Sequence, residues 1–183
     1  MAITISTEVD TALVTWIKTV LPATLNKILW EKASGQGARI ADEPSQPYVT
    51  LSILVGPANV DGADMTKTGA VGNYKLSIVK EITLSIKYIS DEDYLDGMSK
   101  LASSLENPIH LAQLRDDADI GVMEIMPVND ISELEDTKFK LRSQMDVRMT
   151  YLWTDDEVAI GQFDTVVIDT EVNGEARNQI TVP

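Results

Sequence analysis

The sequence predicts an α+β protein: a mainly antiparallel β-sheet with an N-terminal helix and two central helices packed on one face, plus a C-terminal β-hairpin or arm. Three observations predict it. An apolar stripe at helical spacing opens the chain, two further capped helical patterns stand together in its middle, and the stretches around them alternate apolar with polar residues.

In the first helix Val9, Ala12, Leu13, Trp16, Ile17 and Val20 form the stripe, Thr7 with Asp10 reads as a capping box, and Pro22 stops it. Residues 25–33 are short and apolar and fit either a strand or a helical turn. Residues 34–47 read as a loop, with Gly35, Gly37, Pro44 and Pro47 as breakers. Tyr48 to Val55 reads as a strand with Val49, Leu51, Ile53 and Val55 on one face. The segment 56–73, rich in Gly and small polar residues, reads as one long loop, and loops of that length inside a compact domain usually carry function. Residues 76–89 alternate as a strand, with Lys80 interrupting the apolar face and marking a bulge or an exposed end nearby.

Ser90 and Asp93 are caps for a second helix with the stripe Leu95, Met98, Leu101, Ala102 and Leu105. Asn107-Pro108 then starts a third, with Ile109, Leu111, Ala112 and Leu114 as its apolar residues. Ile120 to Met126 reads as a short buried strand. Residues 138–153 alternate most clearly: Phe139, Leu141, Met145, Val147, Met149, Tyr151 and Trp153 against Lys138, Lys140, Arg142, Gln144, Asp146, Arg148 and Thr150. Asp155-Asp156-Glu157 reads as a break. Asn173-Gly174 between two strand-like runs is the signal of a hairpin. The expected organisation is a main domain over 1–154 and an extension over 155–183.

Composition narrows the function. The chain has 183 residues, enough for one domain with its own core, and 29 acidic against 15 basic residues give a net charge of −14. Scattered cations and that acidity argue against gripping nucleic acid, whose phosphates need clustered Lys and Arg. No Cys excludes disulfides and thiolate chemistry, and His110 as sole histidine excludes a multi-histidine metal site within one chain. No apolar run reaches membrane-spanning length and the start lacks signal-peptide character, so the expectation is a protein used in a cytoplasm, away from any membrane.

Catalytic signatures are missing: there is no Walker loop, dinucleotide fingerprint, nucleophile elbow or H-E-x-x-H. The acidic groups Asp91-Glu92-Asp93, Asp116-Asp117-Asp119 and Asp155-Asp156-Glu157 sit at element boundaries, where carboxylates serve as caps and solvated turns. Asn59, Asp61 and Asp64 lack the spacing and closing Glu of an EF-hand. No catalytic residue, metal or cofactor is expected. A protein working through contact fits better, with the 56–73 loop and the 155–183 tail as contact regions able to add to a neighbour's sheet edge.

The succession of elements resembles that of the phage neck and tail terminator proteins, small α+β proteins of the head–tail junction. The residues carrying it are the N-terminal helix, Pro47-Tyr48-Val49-Thr50-Leu51, the loop from Gly56-Pro57, Ile82-Thr83-Leu84-Ser85-Ile86, and the Asn107-Pro108 helix. Ile131-Ser132-Glu133-Leu134 and the strand from Phe139 to Arg148 complete it. The resemblance implies a non-enzymatic virion protein, assembled in the host cytoplasm, that forms a ring, taken as a hexamer, at the tail–neck junction. That ring would stop tail-tube growth and contact the tube protein, a neck or head-completion protein and, in a contractile tail, the sheath protein. DNA would pass through its lumen without specific binding. Interface residues expected on this reading are Gly56, Pro57, Asn59, Asp61, Asp64, Lys67, Arg142, Asp146, Arg148, Asn173 and Gly174. The alternatives are another tail-tube, baseplate or head–tail connector subunit, or a metal-dependent hydrolase built on the acidic groups.

Overall fold

A computed structural model describes residues 6–21, 25, 27–31, 44–60, 62–67, 73–135, 138–159, 171–172 and 175–176. In chain order the elements are α1 (Thr7–Val20), β1 (Lys27–Trp30), β2 (Tyr48–Asn59), β3 (Asp64–Lys67), β4 (Asn73–Ile89), α2 (Tyr94–Ser104) and α3 (Pro108–Ala118). They continue with β5 (Gly121–Ile125), β6 (Asn129–Asp130), β7 (Glu133–Glu135), β8 (Lys138–Lys140), β9 (Arg142–Ala159), β10 (Glu171–Val172) and β11 (Glu175–Ala176). The chain divides into two compact units, one of residues 1–63 and 77–153, the other of 64–76 and 154–183.

The first unit holds the core. Its sheet runs β1-β2-β4-β9-β5, with β6 continuing the β5 edge of β9. The sheet is mixed: β1 lies parallel to β2, whereas β2–β4, β5–β9 and β6–β9 are antiparallel. Alternation turns Val49 and Leu51 of β2, Ile82, Leu84, Ile86 and Tyr88 of β4, and Met145, Val147, Met149 and Tyr151 of β9 onto one face. There they join Leu13, Trp16 and Ile17 of α1, Met98 and Leu101 of α2 and Leu114 of α3 in a single buried cluster. Each such side chain withdrawn from water contributes about 1.5–3 kcal/mol. The α+β reading with the helices on one face therefore stands.

Polar groups fix how the helices dock. The Trp16 indole donates to Ser104 Oγ at 2.9 Å in the core, tying α1 to α2. The Trp30 indole donates to Asp10 Oδ1 at 2.5 Å, tying β1 to α1. Gly97 lets α2 approach the sheet closely, since a Cβ there would overlap the Tyr88 ring. Ser143 is fully buried, and its hydroxyl donates to the Tyr94 carbonyl at 2.7 Å, holding the start of α2 against β9.

Several local expectations are corrected. The N-cap of α1 is Ser6, whose Oγ accepts from Val9 N–H at 3.3 Å, one residue before the expected Thr7. Residues 27–30 are a strand. β2 does not end at Val55, and Val55 is exposed: register shifts between Ile53 and Val55 and between Val55 and Ala58 insert extra residues, so strict alternation fails. The segment 56–73 is not one loop, because β2 runs to Asn59 and β3 pairs with β4. A bulge does lie near Lys80, on the partner strand: the second shift ends at the Ala58–Glu81 pair, next to the pair of Asn59 with Lys80, whose ammonium sits 4.0 Å from the Trp153 ring centroid. Ser90 shapes the turn before α2 by accepting from Glu92 N–H, while Asp93, at φ 56°, is the N-cap without a side-chain bond. Leu95 and Ile109 are exposed. β5 is an edge strand with a mostly exposed burial pattern, not a buried one. Phe139 belongs to β8, which pairs with β7 away from the main sheet, and the alternation of the long strand begins only at Arg142. β9 continues through the expected acidic break to Ala159.

The second unit contains β3, which pairs with β4, together with the first residues of β4, the last residues of β9, and β10 and β11. Glu171 pairs with Ala176 and Val172 with Glu175, antiparallel, flanking Asn173-Gly174.

Candidate subunit interface

The sheet face turned away from the helices is polar near its centre. Thr50 and Ser85 are buried there, and Thr83, Lys87, Gln144, Asp146, Arg148 and Thr150 are half-buried. Two ion-pair groups cross it. Lys87 Nζ lies 3.0 Å from Glu31 Oε2, while Glu31 Oε1 accepts from the Thr50 hydroxyl at 2.8 Å, joining the residue after β1 to β2 and β4. Arg148 of β9 donates from Nη2 to Glu81 Oε1 of β4 at 2.8 Å and from Nη1 to Glu124 Oε2 of β5 at 3.0 Å. Those two carboxylates, Glu81 first, hold the guanidinium pKa above its ordinary value. The group is partly open to water, so its contribution to stability is modest.

Around this second group the same face turns apolar and exposed. Val55 pairs with Thr83, and Val60 N–H donates to the Val79 carbonyl at 3.0 Å, so Val55, Val60 and Val79 share the side of Glu81 and Thr83. On β9 Leu152 follows Arg148 and Thr150 by alternation. Their exposures are 63% for Val55, 50% for Val60, 37% for Val79 and 38% for Leu152. Aliphatic side chains gathered from three neighbouring strands form a patch, which solvent-exposed proteins use for association.

A second exposed apolar surface lies on the β7–β8 hairpin. Leu134 pairs with Phe139 across the strands, while Glu133 pairs with Lys140 and Glu135 with Lys138. Arg142 forms an ion pair with Glu133 and fixes the base of the hairpin, as do Ser132 Oγ accepting from Arg142 N–H at 3.0 Å and Ile131 N–H donating to the Arg142 carbonyl at 3.0 Å. Partial burial, and secondarily the Arg142 charge, lower the Lys140 pKa. Nearby, Asp130 accepts from Ser132 N–H at 2.9 Å and from the Tyr94 hydroxyl at 3.0 Å; the Ser132 bonds come first in holding its carboxyl below the ordinary range.

The expected interface residues fall into three groups. Gly56, at φ 101°, sits where a Cβ would overlap the Glu81 carbonyl oxygen; it lies in the bulged part of β2 with Pro57 and Asn59, and Asn59 pairs with Lys80. Gly56, Glu81 and Arg148 are thereby brought together across three strands, and Asp146 shares the Arg148 face of β9, its Oδ1 accepting from Gln144 Nε2 at 3.0 Å. Arg142 stands apart, at the hairpin. Asp64 and Lys67 are the ends of β3. Asp61, Asn173 and Gly174 lie outside the described residues. Sequence reading did not single out Val55, Val79, Leu152, Leu134 and Phe139 as exposed apolar residues, whereas Val60 falls in the 56–73 segment expected to make contacts; the adjacent Leu54-Val55, which cannot both face a core, was the available signal.

Two of the acidic groups lie at separate element boundaries of the first unit. Asp91, Glu92 and Asp93 stand in the turn before α2, whereas Asp116, Asp117 and Asp119 close α3. Among the described residues no set of three or more His, Asp or Glu is placed to hold a metal ion, and no helix is long and apolar enough to cross a membrane.

A family model described as phage neck terminator protein matches residues 7–175, from the first residue of α1 to the first of β11. No curated protein matches the chain.

Proposed function

Because this chain belongs to the family of phage neck terminator proteins, and is thus a structural component of the virion neck and tail, we propose that it forms a ring of six copies at the head-proximal end of the tail tube. The ring ends tube growth and joins the tail to the neck. The observation that carries this reading is the extent of the family match, which takes in both exposed apolar surfaces. Those surfaces support a role exercised through protein contacts rather than through a reacting group. On this reading the tube protein, a neck or head-completion protein and, in a contractile tail, the sheath protein are its partners. A net charge of −14 per copy supports a lumen through which DNA slides without being held, since like charge keeps phosphates off the wall.

The test is electron microscopy of virions labelled with gold-conjugated antibody against the chain. Label at the junction of tail and neck is the expected result. Label at the baseplate or along the tube would replace the proposal with another tail subunit, and particles without label would remove a virion role at that site.

A further inference from the structure

We infer that the β7–β8 hairpin of one copy docks through Leu134 and Phe139 on the Val55, Val60, Val79 and Leu152 patch of a second copy. The inference rests on the ring reading and names the two surfaces that would build it.

Three observations carry it. The first is exposure by design of the pairing: Leu134 opposite Phe139 gives the hairpin one apolar side, 62% and 68% exposed, with charged residues at the alternating positions. A two-stranded hairpin has nothing of its own to bury that side against.

The second is charge. Copies of a chain at −14 repel one another, so a contact between copies is least opposed where the local charge is balanced. Over residues 133–142 Lys138, Lys140 and Arg142 balance Glu133, Glu135 and Asp136, so the hairpin is neutral in a chain that is strongly acidic as a whole. Beside the aliphatic patch, in turn, the two carboxylates Glu81 and Glu124 share the one guanidinium of Arg148, which leaves that site net negative. Apolar surface thus meets apolar surface, and a neutral hairpin approaches the acidic patch without like-charge repulsion.

The third is position. Arg142 at the hairpin and Leu152 at the patch are on the same strand β9, about 33 Å apart at ~3.3 Å per residue. One copy cannot close its own hairpin onto its own patch. The contact joins unlike surfaces, so it propagates from copy to copy and closes as a ring where the rotation allows.

The chain has no Cys, which makes introduced thiols clean reporters. Two full-length double variants, Phe139→Cys with Val79→Cys and Leu134→Cys with Val55→Cys, would be treated with a short bis-maleimide, alongside the four single variants. Sedimentation of the unmodified chain would be measured in parallel. Expected is a ladder of covalent oligomers from the double variants and none from the singles. Efficient dimers from Phe139→Cys alone would overturn the inference in favour of a like-to-like contact. Oligomers by sedimentation without a ladder from either pair would overturn this contact and leave the ring reading standing. A chain that stays monomeric at every concentration would overturn both. As Phe139 is exposed, Phe139→Glu should keep the wild-type circular dichroism spectrum while losing assembly; retained assembly would also overturn the contact.

Discussion

At the scale of single residues, the strongest constraints lie where backbone approaches backbone. Gly56 has φ 101°, and a side chain there would strike the Glu81 carbonyl. Gly56→Ala should therefore lower stability by about 1–3 kcal/mol, the usual cost of a strained backbone position, as read from the urea midpoint. An unchanged midpoint would mean that the bulge rearranges freely. Tyr151 offers a test by pH. Its burial raises the phenol pKa above the ordinary value of 10.0, so the unfolded chain loses this proton more readily than the folded one. The associated stability is complete below pH 10.0 and declines as pH rises through the folded-state value. Tyr151→Phe should flatten the alkaline limb of the stability profile, and an unaltered limb would assign that loss to other groups.

At the scale of elements, α3 depends on its start. Asn107 Oδ1 accepts from Ile109 N–H at 3.0 Å and Pro108 occupies the first turn, yet only Leu114 of this helix is fully buried. With so little apolar anchoring, the cap carries a large share of the helix's stability. Asn107→Ala should cost about 0.5–2 kcal/mol by chemical denaturation, and hydrogen exchange should quicken first in α3. Elements whose periodicity coincides with their cover were legible in the sequence: the stripe of α1, the alternation of β4 from Ile82 to Tyr88, and that of β9 from Met145 to Tyr151. Elsewhere the pattern gave parity without telling what lies opposite. Val55 has the right spacing for the core, but the bulges turn it outward. Phe139 has the right spacing for β9, but the chain breaks at Leu141 and β8 pairs with β7 instead. Both residues left the expected core and became the candidate interface, which is why that interface was illegible from periodicity.

At the scale of the whole molecule, the excess of acid over base is the dominant electrostatic fact. Self-repulsion at −14 disfavours the compact state at low ionic strength, where charges interact across about 30 Å at 0.01 M salt against about 3 Å at 1 M. The thermal midpoint should accordingly rise by several degrees over that range of added sodium chloride. A fall would mean that the Arg148 and Lys87 ion pairs outweigh the net repulsion.

The sheet order β1-β2-β4-β9-β5 also bears on how the protein is made. β9, which lies between β4 and β5, is the last of these strands to be synthesised. While residues 142–153 are still inside the ribosome, β4 has an open edge and β5 has no strand to pair with. The apolar face of Ile82, Leu84 and Ile86 then lacks Met145, Val147, Met149 and Tyr151 beside it. At ~5–20 residues per second, the span from the end of β4 to the end of this stretch takes several seconds to emerge. The nascent chain thus has an interval of unfinished core, and a holdase acting during it should raise the yield of soluble protein more than one added after release.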